Sequence, residues 1–383
     1  MPDSSLPIGD AVALTRALVA IDSRNPTLVP GAPGEHEVAA LLATTLQHWG
    51  FDVELSEAAP GRPNVVARIG SGARTLLFAG HLDTVGVEGM VHDPFDPRLS
   101  GGRIYGRGSA DMKSGVAAMC AAAARGAHNR RCQVIVAAVS DEEYESLGMR
   151  ALVASGLAAD AAVLTEPTRL AIAPAHRGFA WMTLRFRGRA AHGSRYDIGV
   201  DAIRHAGLFL AELDALDTGD LTGRTHPLLG RASVHASTIA GGEGFSTYPA
   251  ECVLRIERRT LPGETPEQAT DEVRELLARV AKRTPALDAS LELMTAQSPS
   301  DVQVTEPIVR ALEAVLEAEG LPVRIEGMSA WTDAAILNEA GIPAICFGPG
   351  DIGMAHAAEE FVEVAEIEQA TAVLERLVRN WAT

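Results

Sequence analysis

Gly80-His81-Leu82-Asp83-Thr84-Val85 follows directly on the apolar run Thr75-Leu76-Leu77-Phe78-Ala79. The run is short, β-favouring and bounded by glycine, which predicts a buried strand. His81 and Asp83 then fall just past its carboxyl end, where the ligand crevices of open α/β sheets lie. On an extended segment both side chains point the same way, so one can bind a metal while the other orients it from behind. A lone His-x-Asp is a common coincidence. Its weight comes from further carboxylates and imidazoles at similar positions downstream: Asp111, Glu142, Glu143, Glu166 and His356.

On the amino-terminal side, residues 8–20 and 35–49 show helical spacing, the second stopping at Gly50. Residues 51–55 and 64–68 read as strands. Downstream, Gly101-Gly102-Arg103-Ile104-Tyr105-Gly106-Arg107-Gly108 reads as a glycine-rich loop leading through Asp111 into an alanine-rich helix. A strand at 133–139 ends at Ser140-Asp141-Glu142-Glu143, a helix follows near 146–154, and a strand at 161–164 ends at Thr165-Glu166-Pro167. Strands alternating with helices predict an α/β fold with a doubly wound, mostly parallel sheet.

From about Gly178 the pattern changes to β-α-β-β-α-β: strands at 180–187, 233–239, 252–258 and 290–294, helices at 200–213 and 266–281. That order matches an inserted ferredoxin-like unit. The α/β pattern then resumes with a helix at 305–319, a strand at 343–347 and a closing helix at 364–381. The expected division is 1–177 and 296–383 for one domain, with 178–295 inserted.

The 383 residues, 47% of them hydrophobic, suffice for two cores. A formal charge of −17 argues against nucleic acid and against an anionic membrane surface as partners. No run approaches the ~18 apolar residues of a membrane span. The opening Met1-Pro2-Asp3-Ser4-Ser5-Leu6-Pro7 has neither a basic nor an apolar leader region. The four cysteines, Cys120, Cys132, Cys252 and Cys346, stand singly in apolar contexts and read as buried free thiols. The expected location is the cytoplasm.

Three carboxylates and two imidazoles suit a pair of Zn²⁺ ions or similar divalent metals. If Asp111 bridges, the ions stand ~3.5–4 Å apart, as in two-metal hydrolases. Two divalent ions are then neutralised by Asp111, Glu143, Glu166 and one hydroxide, so burial carries no large charge penalty. Glu142 and Glu143 point differently, which lets one bind metal while the other accepts the proton of an attacking water. Taken alone, Asp-Glu-Glu is also what a solvated acidic turn looks like.

Gly80-His81-Leu82-Asp83-Thr84-Val85, Gly106-Arg107-Gly108-x-x-Asp111-Met112-Lys113-x-Gly115, Glu142-Glu143, Thr165-Glu166-Pro167 and Ala355-His356-x-x-x-Glu360 occur in this order. Together they resemble the di-zinc family of acetylornithine deacetylase, succinyl-diaminopimelate desuccinylase, aminoacylases and carboxypeptidase G. The similarity runs from about residue 8 to the carboxyl terminus. It implies that His81 and Glu166 hold one metal, Glu143 and His356 the other, with Asp111 between them. It also implies that Asp83 orients His81 and that Glu142 is the general acid/base. Glu at position 166 is commoner among the family's deacylases and carboxypeptidases than among its aminopeptidases. Gly348-Pro349-Gly350 reads as the loop that delivers His356.

The inserted unit resembles the family's lid and dimerisation domain, which implies a homodimer. Ala191-His192-Gly193 matches the motif whose histidine stabilises the oxyanion, often across the dimer. Arg259-Thr260-Leu261-Pro262-Gly263 matches the arginine segment that pairs with a substrate carboxylate. By itself, Arg259 also fits a surface salt bridge. One departure stands out: Ser246 occupies the place, before Thr247-Tyr248-Pro249, where the family often has Asn. Trp331, in Met328-Ser329-Ala330-Trp331-Thr332-Asp333, is open between core packing and a pocket wall for an apolar acyl group or side chain.

The resemblance thus implies a metal-dependent hydrolase cleaving the amide of an N-acyl amino acid through a hydroxide between two Zn²⁺ ions, with Co²⁺ or Mn²⁺ as substitutes. A carboxypeptidase or dipeptidase is the alternative within the family. A catalytically silent binding protein is disfavoured because every ligand position and Glu142 are filled. A cysteine-nucleophile hydrolase is disfavoured because no Cys sits at a strand-to-helix turn beside a His.

Overall fold

The computed structural model describes residues 6–127 and 132–381, so the opening Met1–Ser5 lies outside the described residues. Two compact units emerge: Met1–Pro174 with Val302–Glu326 and Thr332–Thr383, and Ala175–Asp301 with Gly327–Trp331.

In the first unit, neighbouring strands run in the order Asp52–Ala59, Arg62–Gly70, Cys132–Val139, Arg74–His81, Ala161–Leu164, Ala344–Cys346 and Ile172–His176. The middle four are mutually parallel. Antiparallel pairs finish the sheet on either side. The parallel strands are nearly continuous apolar runs because both faces are covered. Ala11–Val19, Ser114–Gly126 and Val364–Asn380 pack together as one helix group, and Leu147–Ala154 with Ala334–Glu339 as another. Leu14, Leu18, Val116, Val136, Leu374 and Leu377 belong to the single core this creates.

Ser114–Gly126 is buried along almost its whole length, and its alanines let neighbouring backbones come close. Gly115 takes this furthest. A Cβ there would stand 1.9 Å from the carbonyl oxygen of Thr165, at the strand end that carries Glu166.

The second unit is a four-stranded antiparallel sheet ordered Ser233–Gly241, Glu251–Thr260, Gly178–Arg187, Asp288–Gln297. Helices Ala202–Thr218 and Pro266–Arg283 pack on it around Phe186, Phe209, Leu254 and Val273. Thr265 and Gln268 form a reciprocal capping box at the start of the second helix, with Pro266 at its first turn.

The stretch expected as a glycine-rich loop is partly a ribbon. Leu99–Ser100 turns back through Gly101 and Gly102, both at positive φ, into Arg103–Tyr105. Two consecutive positive φ values suit a tight hairpin turn. Arg103–Tyr105 pairs in turn with Phe361–Glu363. Beyond it, Asp111 and Met112 have non-helical backbone angles before the alanine-rich helix begins. Cys120, Cys132, Cys252 and Cys346 are buried and free. Among the described residues no helix is long and apolar enough to cross a membrane.

Gly115→Ala is expected to lower stability by about 1–3 kcal/mol, because the new methyl meets backbone that cannot swing away. Equilibrium urea unfolding would show this as a lower midpoint at unchanged slope.

Candidate metal centre

The four parallel strands end at one edge of the sheet, and the chain leaves each end carrying a candidate ligand. His81 closes Arg74–His81, Glu142 and Glu143 follow Cys132–Val139, and Glu166 follows Ala161–Leu164. His356 comes on the loop after Ala344–Cys346, just past the 3-10 turn Ile352–Met354.

Around Asp111 the donors fall into two sets, His81–Asp111–Glu166 and Asp111–Glu143–His356. Within each set one donor atom per residue lies within 4.8 Å of the others. His81 Nε2 stands 3.2 Å from Asp111 Oδ1. His356 Nε2 stands 3.6 Å from Asp111 Oδ2 and 3.2 Å from Glu143 Oε2. Donors around a tetrahedral zinc-sized ion are about 3.3 Å apart, so these spacings fit one divalent ion in each set. The two oxygens of Asp111 face different sets, as a shared ligand requires. Glu166 Oε1 is buried without a hydrogen-bond partner, a costly state unless a cation satisfies it.

Hydrogen bonds behind the donors fix their orientation. His81 Nδ1 is 2.9 Å from the backbone carbonyl oxygen of Asp83, so the ring donates there and presents Nε2 to the site. The Asp83 carboxylate stands farther from that nitrogen, at 3.7 Å. Its oxygens instead accept the backbone N–H groups of Glu142 at 3.1 Å and Glu143 at 3.2 Å, and the Asn25 amide at 2.9 Å. Asp83 therefore sits against both His81 and the turn that carries the glutamates. Glu142 belongs to neither donor set.

Two buried acids that motif reading leaves without a role also belong here. Glu360 is fully buried and pairs with Arg107. Its carboxylate also accepts the N–H groups of Gly108, Ala110 and Asp111 at 3.1, 2.9 and 3.2 Å. It thereby ties the His356 segment to the loop that aims Asp111. Its place four residues after His356 is the signal the sequence carries. Asp333 is buried too, and burial lifts its carboxyl to about 7.

Crowded burial shifts the acids strongly. Burial raises the Glu143 carboxyl, takes Glu166 to about 8 and pushes Glu142 well above the usual carboxylate range. Burial disfavours charge on His81, yet Asp111, Glu142 and Glu166 hold its proton on well above the ordinary imidazole value. His356 is raised by its hydrogen bond to Glu143. Asp111 runs the other way, since His81 and His356 outweigh its burial. The cleft takes up protons where it lacks other positive charge.

The four remaining predicted residues lie in the second unit. His192 is exposed, with Nδ1 2.9 Å from Ser194 Oγ, and its backbone bridges to Thr247. Gly193 N–H donates to the carbonyl of Ser246 at 2.7 Å, so the His192 and Ser246 segments adjoin. Arg259 is paired with Glu257 at 2.8 Å and lies 5.5 Å over the Phe179 ring. Trp331 donates from Nε1 to the Ser298 carbonyl at 2.9 Å and meets Phe179 edge-on. Phe179 thus joins Arg259 and Trp331 in one cluster. Trp331 falls outside residues 178–295, and these contacts explain why it groups with them.

Residues 77–380 match the model of peptidase family M20/M25/M40. The chain is 31% identical over 349 residues to an acetylornithine deacetylase of Myxococcus xanthus, covering 88% of this chain and 90% of that one. Its fold is shared with a metallo-carboxypeptidase of the M20 family from Sulfolobus solfataricus, at TM-score 0.80 and 17% identity over 97% of this chain and 99% of that one. A dinuclear metal-binding peptidase from Bacillus subtilis matches at TM-score 0.72 and 14% identity, over 96% of each chain.

Two outcomes follow for the metal centre. Glu142, Glu143, Glu166, His81 and His356 all titrate higher in the fold than in the unfolded chain. The stability they give is complete below the ordinary carboxylate range and drains away as pH rises through their folded values. The thermal midpoint of metal-free protein should therefore fall between about pH 5 and pH 8. Saturating divalent metal should remove that fall, and its stabilising effect should grow with pH as it displaces protons. Scanning calorimetry with and without a chelator reads both. Separately, Glu360→Gln weakens the brace behind Asp111 and should cost about 10–100-fold in metal affinity, measured by competition with a chromophoric chelator.

Proposed function

The chain belongs to peptidase family M20/M25/M40, and on that footing we propose that this metal-dependent hydrolase of C–N bonds removes the acyl group from an N-acyl amino acid. The observation that carries the reading is the pair of donor sets sharing Asp111, with Glu142 beside them and in neither. In this reading the two sets hold two Zn²⁺ ions. Such ions, when bound, polarise an amide carbonyl and acidify an attacking water.

The residues of the chain do the rest. Glu142 takes the proton of the attacking water and returns it to the leaving nitrogen. The buried setting that raises its carboxyl suits it to holding that proton. Asp83 keeps the glutamate turn and the His81 ring in register through the hydrogen bonds described above. His192, from this protomer or its partner, donates to the developing oxyanion. Arg259 exchanges Glu257 for the α-carboxylate of the substrate, which its planar fork binds bidentately. Ser246 adds a hydroxyl donor, and Trp331 with Phe179 offers an apolar wall to the substrate.

We further read the protein as a cytoplasmic homodimer. Four buried free thiols suit a reducing compartment. At one end of the second sheet, Ser233–Gly241 is exposed over most of its length, with Ile239 outward, as an edge meant for a second copy would be. The charge of −17 speaks against nucleic acid as a partner.

Metal-reconstituted protein should release amine from one class of N-acetyl, N-succinyl or N-benzoyl amino acid, and a chelator should abolish it. Glu142→Ala should lower turnover by about 10²–10⁴-fold while retaining both metals. Dipeptide cleavage without action on N-acyl substrates would replace deacylation by the peptidase alternative, and full turnover in Glu142→Ala would remove its assigned role.

A further inference from the structure

Asn25 is fully buried and occupies a position that the reaction chemistry above does not use. Its side-chain Nδ2 donates to Asp83 Oδ2 and to Asp141 Oδ1, both at 2.9 Å. Its own Oδ1 accepts the N–H of Thr27 at 2.9 Å, and its backbone N–H donates to the Thr84 carbonyl at 2.8 Å. The amide is therefore locked in orientation, with both donors aimed at carboxylates.

Those two carboxylates grip opposite sides of one short turn. Asp83 accepts the N–H groups of Glu142 and Glu143. Asp141, at a left-handed φ of 69°, accepts the N–H groups of Glu145 at 3.2 Å and Leu147 at 3.4 Å. Behind Asp141, Arg62 reaches its Oδ1 at 3.0 Å while forking onto Glu35 at 2.5 and 2.6 Å. The turn bearing Glu142 and Glu143 is thus suspended between two acids that would repel each other at close range. Asn25 is the neutral double donor between them, and Arg62 supplies positive charge on the far side. The amide suits this place because its two N–H donors reach both acids while its oxygen accepts from Thr27.

We propose that Asn25 is a positioning residue for the hydrolysis: by bridging Asp83 and Asp141 it sets the aim of the Glu142 carboxylate. The inference rests on the reading of Glu142 as the general acid/base. A carboxylate misplaced by an ångström loses about 10²-fold in rate, whereas of the five candidate ligands only Glu143 shares this turn, and His81, Asp111, Glu166 and His356 lie on other segments and keep their places.

The test uses the full chain loaded with metal. Asn25→Ala should keep the wild-type metal content and lower kcat about 10²-fold, with KM changed by less than about threefold. Amide exchange should quicken in the peptide covering residues 141–147. In a Glu142→Gln background the same substitution should change kcat by less than about threefold, because the group it aims is gone. Asn25→Asp matches the shape but places a third acid between the two, and should reproduce the loss if the alanine variant folds poorly. Wild-type kcat in these variants, an equal loss in both backgrounds, or loss of metal in step with activity would each overturn the inference. Full turnover in Glu142→Gln alone would overturn the acid/base reading beneath it. An inactive Glu142→Gln beside a fully active Asn25→Ala would overturn only the role of Asn25.

Discussion

Four carboxylates cannot crowd into one cleft as anions unless positive charge comes with them, and this constraint organises the first unit. Glu142, Glu143 and Glu166 are brought to one sheet edge by largely apolar strands, and Asp111 reaches them on the turn before the alanine-rich helix. The hydrophobic energy of those strands holds the acids together. In the absence of other charge the acids answer with protons, as the raised Glu166 carboxyl near 8 shows. Donor spacings near 3.2 Å and the orphaned oxygen of Glu166 point to divalent ions as the other answer. Folding energy and metal affinity are therefore coupled, since one buries what the other neutralises.

Around that constraint stand two buried braces of different kinds. Glu360, held by Arg107 and three backbone N–H groups, fixes the loop of Asp111, the residue common to both donor sets. Asp83 and Asp141, joined through Asn25, fix the turn of the two glutamates. Both use a carboxylate to collect backbone N–H groups that irregular chain leaves unpaired. Loops can thus be rigid where no helix or strand ladder satisfies them. The first brace bears on the Asp111 loop and the second on the turn of Glu142 and Glu143, so each positions a different part of the candidate site.

The strand ends were legible in the residues because a parallel strand covered on both faces must be a continuous apolar run. The polar residues just after such a run mark the crevice, which is why His81, Glu142, Glu143 and Glu166 stand out. Helices with a clear apolar stripe, such as Pro307–Ala318, were legible for the same reason. The ribbon of Leu99–Ser100, Arg103–Tyr105 and Phe361–Glu363 was not, since two- or three-residue strands show no period and paired glycines read as loop. Nor does residue order reveal whether His81 bonds to the carbonyl or the carboxylate of Asp83, a choice made by backbone direction. Glu360 and Asp333 were in view within their motifs, but their roles depend on which distant N–H groups or acids surround them.

Recognition follows a different logic from the metal centre. Arg259 and Glu257 alternate on one strand, so they share a face and pair at 2.8 Å. If Arg259 receives the substrate carboxylate, binding exchanges one ion pair for another. The affinity gained is then the difference between two similar interactions and is small. Selectivity must come from geometry that Glu257 cannot match: a bidentate carboxylate at the right depth beside Phe179 and Trp331. An arginine held this way is already oriented before substrate arrives, so little side-chain entropy remains to be lost on binding. The same pairing keeps a cation over the Phe179 ring from seeking other anions. On this view Glu257 belongs to the discrimination among substrates as much as Arg259 does, although only the arginine would touch them.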